Sequence, residues 1–346
     1  MQNKPIVLIM CGGRSLRLWP LSEYKSKNFI DIFGFSPLEF TVKRFLKITP
    51  QENIFLVANT SEKSALTKLK LVKKENIFFE PDSKNTSAAI LFSLFSLKKR
   101  FPQDKVLIIS PVDHLIKEEN NFYNAINTAV NVAKDGWIAT LGIEPTHPTP
   151  NFGYIQAGEK VGENIFSIKK FVEKPTLLEA GELIRKDNAF YNSGMFIVSF
   201  STLDQEYKKY SRSYDIFANV FKRGGNFKDI RAAYKKIEDI PFDKAIMEHT
   251  KKARLVKAKF FWKDFGSWHA IYEVLPKDKN GNVKKGNIFT HNANKNLIYL
   301  NDPKKKVLVM GLEDVFFIDT GKFTLLAHRN CLDNLKAALK EFKTQK

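Results

Sequence analysis

A glycine pair and two cations directly after an apolar run are the residues here most suited to chemistry. Pro5 to Met10 reads as a buried strand. Cys11-Gly12-Gly13-Arg14-Ser15-Leu16-Arg17-Leu18-Trp19-Pro20-Leu21-Ser22 follows at once, with Lys27 five residues beyond. Paired glycines let a backbone turn tightly and come close to an anion, and the N–H groups of such a turn can meet phosphate oxygens. Arg17 and Lys27 add two positive charges at the same mouth, so the chemistry supported is phosphate binding. The same residues also fit a tight turn with a solvated basic rim, and the loop alone does not choose between the two.

The elements that would position this loop alternate. Strands are predicted at Ile6–Met10, Ile54–Ala58, Ile77–Glu80, Val106–Ser110 and Trp137–Leu141, short, apolar and rich in β-branched or aromatic residues. Helical stretches lie between them, near Leu38–Leu46, Ser61–Lys73, Ser87–Arg100 and Phe122–Lys134, with Thr86 or Ser87 as the expected cap of the third. This alternation predicts an α/β fold, a doubly wound and mostly parallel sheet with helices on both faces. Ligands of such folds sit at the carboxyl ends of the strands. The opening loop lies at one such end, and Asp113 lies just past another.

From about Asn151 the pattern changes to short strands (Phe152–Gly158, Ile168–Glu173, Met195–Phe200) around a helical region near Leu177–Lys186, then a long helical stretch, Thr202–Lys222. From Gly281 to Leu326 helix signals vanish and short strands take over, at Leu297–Leu300, Val307–Met310, Val315–Ile318 and Phe323–Ala327. A charged amphipathic helix, Leu332 to Phe342, closes the chain. The expected division is a catalytic domain over 1–274 and a small C-terminal β domain with its terminal helix over 275–346. No long tandem repeat is visible, though the C-terminal strands could form a few irregular coils.

Composition narrows the function classes. A chain of 346 residues with 43% hydrophobic and 13% aromatic residues can bury a large core. No apolar run approaches the roughly 18 to 20 residues that span a membrane, and with a strand beginning so early no signal peptide is expected. Cys11 and Cys331 match no metal spacing, so reduced thiols and a cytoplasmic setting are expected, with Cys11 read as a small apolar filler. The formal net charge of +19 is spread along the chain in short clusters such as Lys304-Lys305-Lys306. Diffuse positive charge suits small anionic substrates, and no nucleic-acid partner is expected.

Six motifs, in order, resemble those of the mannose-1-phosphate guanylyltransferases within the sugar-nucleotidyltransferase superfamily. The opening loop resembles G-G-x-G-x-R-L-W-P-L-S, and Lys27-Asn28-Phe29 stands where that family has P-K-Q-F. Glu80-Pro81-Asp82-Ser83-Lys84-Asn85-Thr86 resembles E-P-x-x-R-N-T, and Pro111-Val112-Asp113-His114 resembles A-D-H. Phe171-Val172-Glu173-Lys174-Pro175 matches F-V-E-K-P, Asn192-Ser193-Gly194-Met195-Phe196 matches N-S-G-M-F, and Asp264-Phe265-Gly266-Ser267-Trp268 resembles D-V-G-S-W.

The resemblance implies a transfer of GMP from GTP to mannose 1-phosphate, giving GDP-mannose and pyrophosphate. It implies Mg2+ held by Asp113 and Asp264, whose separation in sequence would never pair them; either alone reads as a turn or cap residue. Gly12 and Gly13 would meet the GTP phosphates, Arg17 the β- and γ-phosphates, Lys27 the α-phosphate and Lys174 the sugar 1-phosphate. Gly153, Glu173 and Asn192 would line the hexose, and Glu80, Asn85 and Thr86 the nucleotide end. Taken alone, Glu173-Lys174 is also readable as a surface ion pair. The C-terminal strands would form a left-handed β-helix-like appendage, and the family analogy implies a homodimer. The length is short for the fused isomerase domain of longer relatives, so phosphomannose isomerase activity is not expected.

The departures concentrate in the loop. Ser15 stands at the third glycine, Leu16 at a small or polar position and Ser26 at a proline. Lys84 replaces an arginine, His249 a lysine in Pro241-Phe242-Asp243-Lys244-Ala245-Ile246-Met247-Glu248-His249, and Lys322 an acidic residue. They keep open an alternative: a catalytically weak or inactive homologue that binds nucleotide sugar, or a guanylyltransferase for another sugar 1-phosphate such as a manno-heptose.

Overall fold

The computed structural model describes residues 4–13, 16–24, 26–30, 34, 36–185 and 188–344. They pack as two compact units interleaved in sequence. One comprises Met1–Gly12, Thr41–Val112 and Ile116–Trp262, the other Gly13–Phe40, Asp113–Leu115 and Lys263–Lys346.

The first unit is built on a nine-stranded sheet. Its order is Ile77–Glu80, Ile54–Asn59, Ile6–Met10, Val106–Pro111, Ala189–Ser199, Ile138–Ile143, Ala253–Ala258, Ile165–Val172, Tyr154–Gly162. The first four are mutually parallel, and their register sets Met10 level with Val57 and Pro111, and Asn59 level with Glu80. The loop after Met10 therefore leaves from the same edge as Glu80. Beyond Val106–Pro111 the sheet is mixed. Ala189–Ser199 enters antiparallel to both its neighbours, and Ala253–Ala258 pairs parallel to Ile138–Ile143 but antiparallel to Ile165–Val172. The α/β reading holds, and the mostly parallel sheet expected is corrected to a mixed one. A local apolar run specifies a strand but not its direction, which is set by the partner that buries it.

Helices cover this sheet for periodic reasons. Glu119–Lys134 buries Phe122, Ala125, Ile126, Ala129, Val132 and Ala133, a stripe at helical spacing. Asn85–Leu97 is buried nearly all round, from Ser87 to Leu97. The long helix expected over Thr202–Lys222 is two, Phe200–Tyr210 and Ser213–Lys222, because Ser211 is extended at the break. Ser199 caps the first, its hydroxyl accepting from the Thr202 amide at 3.1 Å. The expected cap at Thr86 or Ser87 is not made. The chain enters that helix through Asn85, in the left-handed region at φ +61°, and the Thr86 hydroxyl instead accepts from the Phe242 amide at 2.8 Å.

The second unit joins the opening loop to the C-terminal strands. Leu18, Leu21 and Ile30 share a core with Phe265, Trp268, Ile271, Leu297, Tyr299, Phe316 and Ile318. The C-terminal strands stack as coils: Val283–Lys285, Leu297–Leu300 and Val315–Asp319 are parallel in that order, and Asn287–His291 is parallel to Lys306–Met310. Buried asparagines tie the turns. Asn282 Oδ1 accepts from the Asn296 amide at 3.0 Å, and Asn296 Oδ1 accepts from the Val315 amide at 2.8 Å. Among the described residues no helix is long and apolar enough to cross a membrane.

Candidate active site

The predicted residues fall into three groups. In the second unit, Arg17, Asp113 and Asp264 come together around Gly266. Asp113 is buried, and its carbonyl accepts from the Phe265 amide at 2.8 Å, which ties its turn to the Asp264 segment. Asp264 Oδ1 accepts from the Gly266 amide at 2.8 Å, and Arg17 Nη2 lies 3.6 Å from Asp264 Oδ2. A Cβ at position 266 would stand 2.8 Å from Asp264 Oδ1, 3.4 Å from Asp113 Oδ2 and 3.5 Å from Arg17 Nη2. A side chain at 266 would press on Asp264 Oδ1 and narrow that cradle. Two carboxylates converging on one small space, with one guanidinium beside them, form a donor set suited to a hard divalent cation. Among the described residues no group of three or more His, Cys, Asp or Glu side chains assembles to hold a metal. A cation here would take its other ligands from phosphate oxygens and water, as Mg2+ commonly does.

The loop residues divide as follows. Gly12 and Gly13 are exposed, and Gly13, at φ +96°, holds a conformation that side chains rarely adopt. Arg14 and Ser15 lie outside the described residues. Leu16 packs with Trp19, Leu335 and Leu339, an apolar use for this departure. Lys27 opens a 3-10 turn, Lys27–Phe29; its side chain lies outside what is described, and Ser26 caps the turn, its side chain accepting from the Asn28 amide. Cys11 is buried, as the filler reading expects. Lys322 sits over the Phe323 ring, 5.4 Å from its centroid.

In the first unit, Gly153, Glu173, Lys174 and Asn192 form the second group. Gly153 lies close against this group, since a Cβ there would lie 2.7 Å from Glu173 Oε2 and 3.4 Å from Asn192 Cβ. The Glu173 side chain is only 9% exposed, and its Oε1 is 2.7 Å from Lys174 Nζ, whose side chain is 62% exposed. The arrangement is a sheltered carboxylate with its cation directed to solvent. Asp243, Glu248 and Gly266 stand within the sequence motifs with no role assigned there, and no local signal marks Thr140. Asn192 Nδ2 donates to Asp243 Oδ1 at 2.7 Å, and the Glu173 amide donates to Glu248 Oε1 at 3.0 Å. Asp243 opens a π-helical turn, Asp243–Met247, a local irregularity common at functional sites. Burial of its carboxyl, then the nearby Glu173, push Asp243 up to about 7. His249, just past this turn, stacks on Tyr210 with ring centroids 6.0 Å apart.

The third group is more structural in its contacts. Glu80 is buried at the end of its strand and accepts from the Tyr234 hydroxyl at 2.8 Å. Burial raises it to about 7, against the lowering effect of that bond. Thr86 spends its hydroxyl on Phe242, as above. Asn85 is exposed, and its Oδ1 accepts from the Thr86 amide at 3.1 Å.

A family model for nucleotidyl transferases matches residues 6–281. The chain belongs to the nucleotidyl transferase family. It is 32% identical over 341 residues to a mannose-1-phosphate guanylyltransferase of Salmonella typhimurium, covering 95% of this chain and 70% of that protein. The alginate biosynthesis protein AlgA of Pseudomonas aeruginosa is 32% identical over 357 residues, covering 98% and 72%. A solved structure from Thermus thermophilus, described as a mannose-1-phosphate geranyltransferase, matches with a TM-score of 0.86 and 26% identity over 98% of this chain and 99% of that one. Within the nucleotidyl transferases, the relatives bear out the resemblance to mannose-1-phosphate guanylyltransferases carried by the six motifs.

Proposed function

We propose that this protein transfers the GMP group of GTP to mannose 1-phosphate. A phosphate oxygen of the sugar phosphate forms the new bond to the α-phosphorus, and the bond to the leaving pyrophosphate breaks. The observation that carries this reading is the convergence of Asp113, Asp264 and Arg17 on Gly266. The nucleophile is already an anion, so the transfer needs placement and charge neutralisation more than a strong base. Mg2+ bound by Asp113 and Asp264 would supply positive charge to the phosphates as charge shifts to the leaving group. Arg17, half exposed, is free to swing from Asp264 to the β- and γ-phosphates. Gly12 and Gly13 present backbone N–H groups to the triphosphate, and Lys27 meets the α-phosphate.

Lys174 takes the sugar 1-phosphate, exchanging Glu173 for a dianion. Glu173, Asn192 and Gly153 then hold hexose hydroxyls. Glu80, Asn85 and Thr86 support the nucleotide end, Glu80 and Thr86 by holding the chain beneath it. The reading includes a cytoplasmic enzyme, a catalytic domain over 1–274, and a C-terminal β domain over 275–346 whose parallel coils wind left-handed. It also includes a homodimer.

The test is pyrophosphate release and GDP-mannose formation from GTP, mannose 1-phosphate and Mg2+. Asp113→Ala is expected to lower kcat roughly 10²-fold or more, and Gly266→Ala, which fills the cradle, to do nearly as much. Turnover untouched by either substitution overturns the assignment.

A further inference from the structure

We propose that Thr140 and Asp243 are positioning residues that lock the Asn192 side-chain amide so that it offers the sugar a hydrogen-bond donor and no acceptor. The inference rests on the sugar-binding reading given above. Asn192 Oδ1 faces two donors, the Thr140 hydroxyl at 3.0 Å and the Gly194 amide at 3.1 Å, which occupy both of its lone pairs. The single Thr140 proton is shared between Asn192 Oδ1 and the Met195 carbonyl, which lies 3.1 Å from the hydroxyl. One N–H of Asn192 Nδ2 goes to Asp243 Oδ1 at 2.7 Å. The second N–H is the capacity left over.

Turning the amide over would set its oxygen against the Asp243 carboxylate and its NH2 against the Gly194 N–H. Both contacts would be repulsive, so the surroundings dictate the orientation. The remaining N–H borders the same glycine as Glu173 Oε2, since a Cβ at Gly153 would lie 3.6 Å from Asn192 Nδ2 and 2.7 Å from that oxygen. A fixed donor beside a fixed acceptor suits two hexose hydroxyls, one accepting and one donating. It disfavours a sugar with an ammonium group at the accepting position.

The carboxylate of Asp243 is the stronger anchor, because a charged acceptor holds the amide more firmly than a neutral one. The groups facing it are Glu173, Lys174, Tyr207 and Asn192, with Glu248 at the end of the same turn.

The experiment is steady-state kinetics with GTP and mannose 1-phosphate varied separately, on wild type, Thr140→Val, Thr140→Ser, Asp243→Ala and Asp243→Asn. Asp243→Ala should raise the KM for mannose 1-phosphate about tenfold, the size of one lost charge-assisted hydrogen bond, with the KM for GTP within about twofold. Thr140→Val should act in the same direction, and Thr140→Ser should restore most of the loss. In wild type, the KM for the sugar phosphate should rise as pH falls through about 7, where Asp243 takes up a proton. Asp243→Asn should lack that component; the ionisation of the sugar phosphate itself is common to both enzymes. Equal shifts in the two KM values, or lower melting temperatures with unchanged kinetics, overturn the proposal.

Calorimetric titration of the same proteins with mannose 1-phosphate separates the two inferences. Equal affinities in wild type and variants overturn the positioning role even in a protein that never turns over GTP. Variant-sensitive binding without wild-type turnover upholds the role and overturns only the assigned reaction.

Discussion

Glu80 and Asp243 both sit near neutrality because burial of the carboxyl outweighs the hydrogen bond each accepts. For Glu80 the consequence is a pH-dependent stability. The folded protein binds its proton more tightly than the unfolded chain does. Its contribution is therefore fully present below about 4.5 and is lost as pH rises to about 7, a difference of roughly 3 kcal/mol. Glu80→Gln keeps an oxygen for the Tyr234 hydroxyl and removes the titration. In denaturant unfolding the variant should exceed wild type at pH 8, with the margin shrinking toward pH 5; a constant margin across that range would clear Glu80 of the effect. The motif around Glu80 is legible in the sequence. Its burial is not, because Tyr234 reaches it from 154 positions away.

At the scale of elements, the opening loop leans on the end of the chain. Trp19 packs on Leu335 and Leu339, with its ring 5.8 Å from Phe323 and 5.6 Å from Phe342, and Leu16 joins the same cluster. Arg17 lies between Leu16 and Leu18 in a single 3-10 turn, so the C-terminal helix, Leu335–Thr344, sets the footing of the arginine. Leu339→Ala should cost about 2–4 kcal/mol of stability and raise the KM for GTP severalfold. A lower melting temperature with an unchanged KM would reduce the helix to a purely structural element.

Short, strongly apolar elements were legible locally: Ile6–Met10, Ile77–Glu80 and Leu297–Leu300 appear with the bounds expected. Weakly patterned strands such as Ala253–Ala258, with Arg254 and Lys257 in a buried sheet, were not. Their stability comes from pairing across the sheet rather than from a periodic signal of their own.

At the scale of the molecule, the formal charge of +19 and an uncovered apolar face bear on assembly. Phe289 stands opposite Leu308 on the outer face of a parallel strand pair, 67% and 59% exposed, with Met310 beside them at 58%. If the proposed homodimer forms, burying this face would help offset the mutual repulsion of two cationic chains. Light scattering should give twice the chain mass for wild type and the single-chain mass for Leu308→Glu. A monomeric wild type removes the dimer from the reading.

The sequence by itself determined the alternation of strands and helices, the glycine turn after the first strand and the order of the motifs, because local periodicity and turn chemistry are carried by neighbouring residues. It also held the repeating turn of the C-terminal coils, at Asn282-Val283, Asn296-Leu297 and Asp314-Val315, but the unequal spacing hid it. Only the tertiary structure decided that Asp113 and Asp264 share Gly266, that Thr140 and Asp243 grip Asn192, and that the opening loop packs with the end of the chain. Those contacts join residues from 51 to more than 300 positions apart. Contacts at such separations are selected by the burial and charge pairing of the folded chain, which no local pattern records.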